Sequence, residues 1–417
     1  MAGVLKGIIF SVEDVLVNEG QINEEVFGEV HKLINFVKAK GITPVVFTNR
    51  SWTSSFTKED GTKGSVPLYD RLKELWGDFT YLCSADDQNV PYKPKSAATE
   101  YVLNKMGWDS TEVVYIGCSV NDMRTAVNGG LLFLRATWYD NKTDYGFEFD
   151  SPWDIARFID VFCLREHFWC HEIKSDGFEY YALAPFSTYK PEYTMYSKDA
   201  RAAAKDGQGH PEFWLRALFT SIYFTGLHKR IDYITTYPGH KAGSNDSLMA
   251  EAMTIFGKCF RKAYLPDLII RHKDAVKSQT AKQLGLVADY KNQLNTIHLN
   301  KNPSNSNGTQ YKNCPVKKGK TVLLIDDFCT RGHSLEAARA YLKQSEADVI
   351  MVTWLKTVNT DYTALDLETK FDPFIENTFE KQNTGEVYDY NDHLIDHFAP
   401  GELNQKFSDF INWKWPD

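Results

Sequence analysis

Long hydrophobic runs are missing from this 417-residue chain. No stretch approaches the roughly 20 apolar residues that carry a helix across a bilayer, so a helical membrane protein is excluded. The opening, MAGVLKGIIFSVEDVLV, has one lysine with acids close behind. It lacks the basic start and small-residue cleavage site of a secretory signal. Cysteine is sparse and scattered: residues 83, 118, 163, 170, 259, 314 and 329, an odd number with no C-x-x-C. That pattern argues against a disulfide framework or a zinc site and predicts reduced thiols in a cytoplasmic protein. A basic excess is also lacking. Net charge is −8, and residues 361–417 hold 13 Asp/Glu against 4 Lys/Arg, which leaves the preceding 360 residues near +1. No general nucleic-acid footprint is present, although a local patch, CPVKKGK, occurs at 314–320. No internal repeat is visible.

What is present is globular. Apolar residues make up 43% and charged residues 24%, and the length suits two or three domains. Short apolar strands (GIIF, ITPVVFTN, EVVYIG, LLFLRA) alternate with amphipathic helices such as 24–40 and 95–106. This alternation predicts an α/β fold, with mainly parallel sheets covered on both faces. SPWDIARFIDVF, with its Ser-Pro start, closes a first unit at 1–164. A second unit, 165–360, begins with the apolar helix FWLRALFTSIYFTGL and the strand IDYITTYP, continues through DLIIRH and a short helix at SQTAKQLGL, and ends near DVIMVTWLKT. Residues 300–320 are polar and turn-rich and read as a loop or hairpin. The acidic extension 361–417 is rich in Phe, Tyr and Trp, which favours packing over disorder.

One stretch carries chemistry: TVLLIDDFCTRGHSLEAARAYL, residues 321–342. An apolar strand runs into Asp326 and Asp327, a short loop follows, and then a helix starts. In an open α/β sheet, ligands sit beyond the carboxyl ends of the strands. Adjacent carboxylates repel, and both stay ionised only if a partner neutralises or hydrogen-bonds them. A sugar diol or a magnesium-bound polyphosphate would do so. Thr330, Arg331, Gly332, His333 and Ser334 precede the helix, where backbone N–H groups and hydroxyls can surround a phosphate. Together they describe a ribose 5-phosphate site.

This stretch resembles the type I phosphoribosyltransferase signature: apolar strand, Asp-Asp, two residues, then Thr-x-Gly-x-Ser/Thr. The resemblance implies that Asp326 and Asp327 contact the ribose hydroxyls of 5-phosphoribosyl 1-diphosphate (PRPP), and that residues 330–334 grip its 5-phosphate. Mg²⁺ would enter with the diphosphate, so the Asp pair meets the metal only through the substrate. TTYPGHKAGSN (235–245) stands where the family keeps its pyrophosphate loop, which assigns Gly239, His240 and Lys241 to the diphosphate. RHKDAVKSQTAKQLGL, from Arg271, resembles the mobile loop of the competence-associated branch, with Arg271, Lys273 and Lys277 approaching the same group. That branch carries a cysteine zinc module, which this chain lacks. FEYYALAPFSTYKPEYTMY (178–196) reads as a packed hairpin, or as a hood over the acceptor.

The first unit resembles a haloacid dehalogenase (HAD) core. GIIFSVEDVLV, VVFTNR, PYKPKS and VVYIGCSVNDM follow the order of its four motifs. Thr48, Lys93 and Asp122 fit, and Glu13 can stand in for the second acid of the first motif. Ser11 occupies the position of the nucleophilic aspartate, and Cys118 replaces an acid of the fourth motif. A carboxylate is needed there both to attack phosphorus and to bind Mg²⁺. The expectation is therefore a unit without phosphatase turnover. It either holds a phosphorylated ligand through Ser11, Thr48, Asn49 and Lys93 or serves as a platform. Only about one helix is expected between Asn49 and Lys93, leaving a nearly capless cleft.

Three readings follow. The chain transfers phosphoribose from PRPP to or from a base or nucleotide, with Mg²⁺ and no zinc. Alternatively it binds PRPP or a nucleotide without turnover, as a sensor. A third reading, by analogy with fused, partly degenerate enzymes, is an effector of a bacterial defence or stress system held in check by a partner. A homo-oligomer or a regulatory protein is compatible with each.

Overall fold

The computed structural model describes residues 4–19, 21–57, 62–243, 247–275, 290–366, 370–380 and 383–416. Two six-stranded sheets organise it, and the protein is α/β throughout. The first contains β1 (Gly7–Phe10) and β2 (Thr43–Thr48). A small antiparallel hairpin, β3 (Thr53–Thr57) and β4 (Lys63–Pro67), lies outside that sheet. Then come β5 (Thr80–Cys83), β6 (Val113–Gly117), β7 (Leu132–Ala136) and β8 (Phe147–Phe149). The order is β5-β2-β1-β6-β7-β8, and every neighbouring pair is parallel. Helices return the chain between strands, so the strands are buried on both faces and read as continuous apolar runs.

The second sheet contains β9 (His171–Ser175), β10 (Phe178–Phe186), β11 (Tyr233–Thr236) and β12 (Ala263–Tyr264). A separate two-stranded ribbon, β13 (Ile269–Arg271) and β14 (Ile297–Leu299), stands beside it. β15 (Thr321–Cys329) and β16 (Asp348–Thr357) complete it in the order β12-β11-β15-β16-β10-β9. All pairs are parallel except the edge pair β9–β10. The acidic extension forms a hairpin, β17 (Tyr362–Asp366) with β18 (Asn383–Tyr388), and then the helix Ala399–Asn412.

Alternation along β15 and β16 serves two cores. Leu323, Ile325, Ile350, Val352 and Trp354 join a core that also contains the first sheet. Val322, Leu324, Val349 and Met351 face a second core, which the aromatics of the extension close with Tyr362, Tyr388, Phe371 and Phe379. The helix Pro211–Phe224 stands in the shared core, with Phe213, Trp214 and every residue from Arg216 to Phe224 buried. An all-round apolar helix must be covered on every side. Here Phe219 stacks on Phe147 of the first sheet with centroids 3.7 Å apart, and Trp214 stacks on Trp354 of the second. The Tyr223 hydroxyl donates to the Val113 carbonyl at 2.6 Å. The terminal helix returns to the first unit, where Trp413 packs edge-on against Phe36 and Trp153.

Several expectations are corrected. β15 runs on through Cys329 instead of stopping before the two acids, because β16 pairs with it as far as Lys356. Between Asn49 and Lys93 stands the one helix expected (Leu68–Trp76), together with a hairpin and β5 that were not. Residues 178–186 form an interior strand and Pro191–Asp206 a helix, so 178–196 is not a single packed hairpin. DLIIRH falls in the side ribbon, not the main sheet. The short helix expected at SQTAKQLGL lies outside the described residues. All seven cysteines are free.

Because one core serves both sheets, Phe219→Ala is expected to cost about 3–5 kcal/mol. Urea unfolding followed by near-UV and far-UV signals should show one shared transition shifted to lower denaturant. Two separable transitions would contradict the shared core.

Candidate functional site

At the first switch point, between β1 and β6, the carboxyl ends of the strands bring Ser11, Lys93 and Asp122 together. All three are buried. Lys93 Nζ donates to Asp122 Oδ1 at 2.9 Å and lies 3.1–3.2 Å from Tyr115 Oη, Ser11 Oγ and the Phe47 carbonyl. Asp122 Oδ1 also accepts from Tyr115 Oη, while its Oδ2 accepts from the Ser119 amide and hydroxyl. Asp122 can approach because residue 117 is glycine: a Cβ there would lie 2.5 Å from Asp122 Cβ. Burial pushes the Asp122 carboxyl up, but Lys93 and Ser119 outweigh it and hold it below the usual range.

This quartet closes on itself. Four donors reach the Asp122 carboxylate, which has about four lone-pair sites, so it offers no free face to a divalent cation. Ser11 and Cys118 add no charge, since burial pushes the Cys118 thiol up to about 11. The residues present do not fit a directly ligated Mg²⁺. Asn49 is a clamp on the lysine backbone: its Oδ1 accepts from the Lys93 amide at 2.8 Å and its Nδ2 donates to the Lys93 carbonyl at 3.0 Å. The Thr48 hydroxyl caps the turn to Arg50 and accepts from Trp52 Nε1. Glu13 sits apart in an exposed ion pair with Arg50 at 2.8 Å. The buried carboxylate of that turn is Asp14, paired with Lys142. An open depression of about 570 Å³ is lined by Val120, Met123, Arg135 and Lys142 among others, and by none of the quartet.

The second switch point lies between β11 and β15. β11 stops pairing at Ile325, whose carbonyl accepts from the Tyr237 amide, while β15 continues. Asp326 and Asp327 therefore stand where β15 has lost its neighbour, both half-buried. The Asp327 amide donates to Asp326 Oδ1 at 2.9 Å, and the Phe328 amide to Asp327 Oδ1 at 2.7 Å. Burial and the facing Asp327 carboxylate push Asp326 well above the usual range, against a partial pull from Arg271. Two carboxyls this close favour a shared proton over two full charges unless a cation or diol relieves them.

The loop 330–334 leads into the helix His333–Gln344, and no side chain caps that helix among the described residues. Gly332 has φ +89°, and a Cβ there would meet the Tyr362 ring at 2.5 Å, so only glycine fits. Thr330 and Arg331 are exposed, and His333 and Ser334 half-buried. Tyr237 lies within hydrogen-bonding reach of Ser334 and electrostatic reach of Asp326. Gly239, His240 and Lys241 are exposed and follow β11 directly. The His240 carbonyl accepts from the Ala275 amide, and the Ala242 amide donates to Asp274.

Arg271 departs from its expected role. It is 3% exposed and binds the Gly239 carbonyl, Thr296 Oγ1 (2.6 Å), Tyr237 Oη (3.0 Å) and Gln293 Oε1 (3.1 Å). With these donors engaged, it is a strut beneath the 237–241 loop and not a free diphosphate ligand. Lys273 is exposed, and Lys277 lies outside the described residues. Sequence reasoning missed Tyr115, Tyr237, Gln293 and Lys356. Tyr237 and Gln293 reach Arg271 from a turn and a helix, and Tyr115 reaches Asp122 from the strand before it. Lys356 alone carries a signal, a lysine in an apolar strand.

No protein-family model matches the chain, and no curated protein matches it. Solved structures are similar over about 38% of it. An uncharacterized protein from Listeria monocytogenes serotype 4b is 15% identical, covers 38% of this chain and 98% of its own, and has a TM-score of 0.29. A HAD-superfamily hydrolase from Ehrlichia chaffeensis is 15% identical over 38% of this chain and 98% of its own, at 0.27. A HAD-superfamily hydrolase from Geobacter sulfurreducens is 15% identical over 38% and 100%, at 0.26.

Two pH effects follow, with opposite signs. Asp122→Asn leaves Lys93 buried without its counter-ion and should cost about 3–5 kcal/mol at neutral pH. Asp122 is held low, so this contribution is present above the ordinary carboxylate range and lost as pH falls through the folded-state pKa. Urea unfolding of wild type and variant should converge in acid. Asp326 is held high, so the folded chain keeps a proton that the unfolded chain releases. Stability then falls as pH rises from the ordinary carboxylate range toward that raised pKa. Asp326→Asn should flatten this fall and stabilise the free protein at pH 7 by about 1–2 kcal/mol. A thermal-unfolding series across pH checks it, and a variant less stable than wild type at pH 7 would contradict it.

Proposed function

We propose that this protein binds PRPP at the second switch point and transfers its phosphoribosyl group to or from a base or nucleotide. Residues 165–360 would supply the ligand site, and residues 1–164 a HAD-like platform without phosphatase turnover. The observation that carries the reading is one convergence. Asp326 and Asp327 stand past the end of β11, next to a loop whose glycine is sterically required and which opens an uncapped helix. The 239–241 loop leaves the neighbouring strand at the same edge.

In this reading the ribose hydroxyls meet the Asp pair, and the 5-phosphate meets the N–H groups and hydroxyls of 330–334. The diphosphate lies toward Gly239–Lys241. Mg²⁺ arrives on the diphosphate as part of the substrate. As the bond from ribose C1 to the diphosphate oxygen lengthens, the sugar gains positive charge. An ionised Asp pair stabilises that charge, and the proton it held is released when the substrate docks. For the first unit, the self-contained Lys93–Asp122 quartet supports a platform over a phosphatase, and the cavity near Arg135 and Lys142 leaves room for a phosphorylated ligand.

A specific observation favours the sensing alternative. Arg271, which would otherwise help the leaving group, is engaged by protein atoms. Turnover would then rest on Lys241, Lys273 and the segment beyond it.

Titration calorimetry with Mg²⁺ and PRPP is expected to show binding accompanied by proton release, read from the dependence on buffer ionisation enthalpy. Asp326→Asn/Asp327→Asn should weaken it tenfold or more. Pyrophosphate release with free bases present marks the enzyme, and binding without release marks the sensor. No binding by wild type would remove both.

A further inference from the structure

We infer that Lys356 is a positioning residue for the anion loop: its buried ammonium holds the Thr330 carbonyl so that the following N–H, that of Arg331, faces the ligand. The inference rests on the proposed 5-phosphate site and adds a residue to it. Lys356 lies in β16 beside Cys329 of β15 and is completely buried. Burying a lysine in an apolar strand is costly unless its protons find acceptors. Two of those acceptors are backbone carbonyls at the ends of two turns: Thr330, at 2.6 Å, and Thr360. The lysine thus ties the loop after β15 to the turn after β16.

In a trans peptide the C=O and the following N–H point in opposite directions. With the Thr330 carbonyl drawn back to Lys356, the Arg331 N–H is turned away from the lysine, toward the mouth of the loop. The next peptide is pinned in the same way: the Arg331 carbonyl accepts from the Thr363 amide at 3.2 Å. Behind Gly332, the Tyr362 ring closes the space a side chain would take, and Tyr362 itself donates to the buried Glu336 at 2.9 Å. The Gly332 N–H of the second peptide is directed at the buried Cys329 thiol, so of these two amides it is the Arg331 N–H that the lysine leaves to face an anion. The ammonium also places a cation directly under the loop.

The charged and titratable groups around Lys356 are Cys329, Arg331, Asp361, His171 and the ring of Tyr390. Burial draws the Lys356 ammonium below its usual range, Arg331 adds to that, and Cys329 and Asp361 oppose it.

The test uses the full chain with ribose 5-phosphate as probe and Mg²⁺-pyrophosphate as internal control, both by titration calorimetry. Lys356→Met should lose ribose 5-phosphate affinity by about tenfold or more, while pyrophosphate affinity stays within about twofold. Lys356→Gln, which is shorter and uncharged, should show the same selective loss and serves if the methionine variant fails to fold. Ribose 5-phosphate affinity retained in either folded variant overturns the inference, and so does equal loss of both ligands. Wild type that fails to bind ribose 5-phosphate removes the phosphate site and this inference with it. Wild type that binds it yet releases no pyrophosphate from PRPP removes only the transfer reaction.

Discussion

The helix Pro211–Phe224 is the constraint on which the remainder of the molecule depends. From Arg216 to Phe224 it is buried on every side, and an isolated helix carrying so much apolar surface has no stable place in water. Two sheets supply its cover. Phe147 and the Val113 carbonyl reach it from one, and Trp354 from the other. Most charge in this seam is matched internally: Arg216 pairs with Asp154 at 3.0 Å, and Arg165 Nη2 donates to the Ala217 carbonyl and the Thr220 and Ser221 hydroxyls, while Arg165 Nη1 and the Trp354 indole N–H have no partner among the described residues. The aromatic end of the chain seals the same seam, where Phe407 and Phe410 pack on Phe213 and Trp413 on Phe36. The two sheets are thereby joined through hydrophobic burial, and the carboxyl edges of both keep fixed positions.

The two switch points resolve the problem of buried charge in opposite ways. At the first, a cation and an anion sit 2.9 Å apart and every lone pair of Asp122 is occupied. Such a site is complete without a ligand. At the second, two carboxylates face each other, and Asp326 feels the partial pull of Arg271, itself bound elsewhere. Desolvated like charges are relieved by a proton, a diol or a cation. The raised pKa of Asp326 sets the second site apart from the first, and the loop held by Lys356 stands beside it.

Much of the fold was legible from residue order. The strands at 7–10, 43–48, 113–117 and 132–136 and the helices at 24–39 and 96–106 stand close to where apolar patterning put them. The Asp-Asp loop and its helix emerged as read, apart from the longer strand. The hairpin at 53–67 escaped because Thr-Ser-Ser-Phe-Thr and Lys-Gly-Ser-Val-Pro have little apolar alternation to announce a strand. Arg271 was misjudged since a basic residue near a glycine loop looks available for an anion. Its engagement depends on Thr296 and Gln293, more than twenty residues away.

By itself the sequence determined the class of fold, the buried strands and the spacing of two acids, a glycine and a helix start. Those follow from local propensity and from a periodicity that any short window contains. Only the tertiary structure decided which charged groups are satisfied and which are left wanting. Lys93 and Lys356 could be singled out by a motif or by an apolar strand, but nothing local says which acceptors they meet or that Arg271 is engaged. Their partners come from helices and turns that the strand order brings to the same sheet edges.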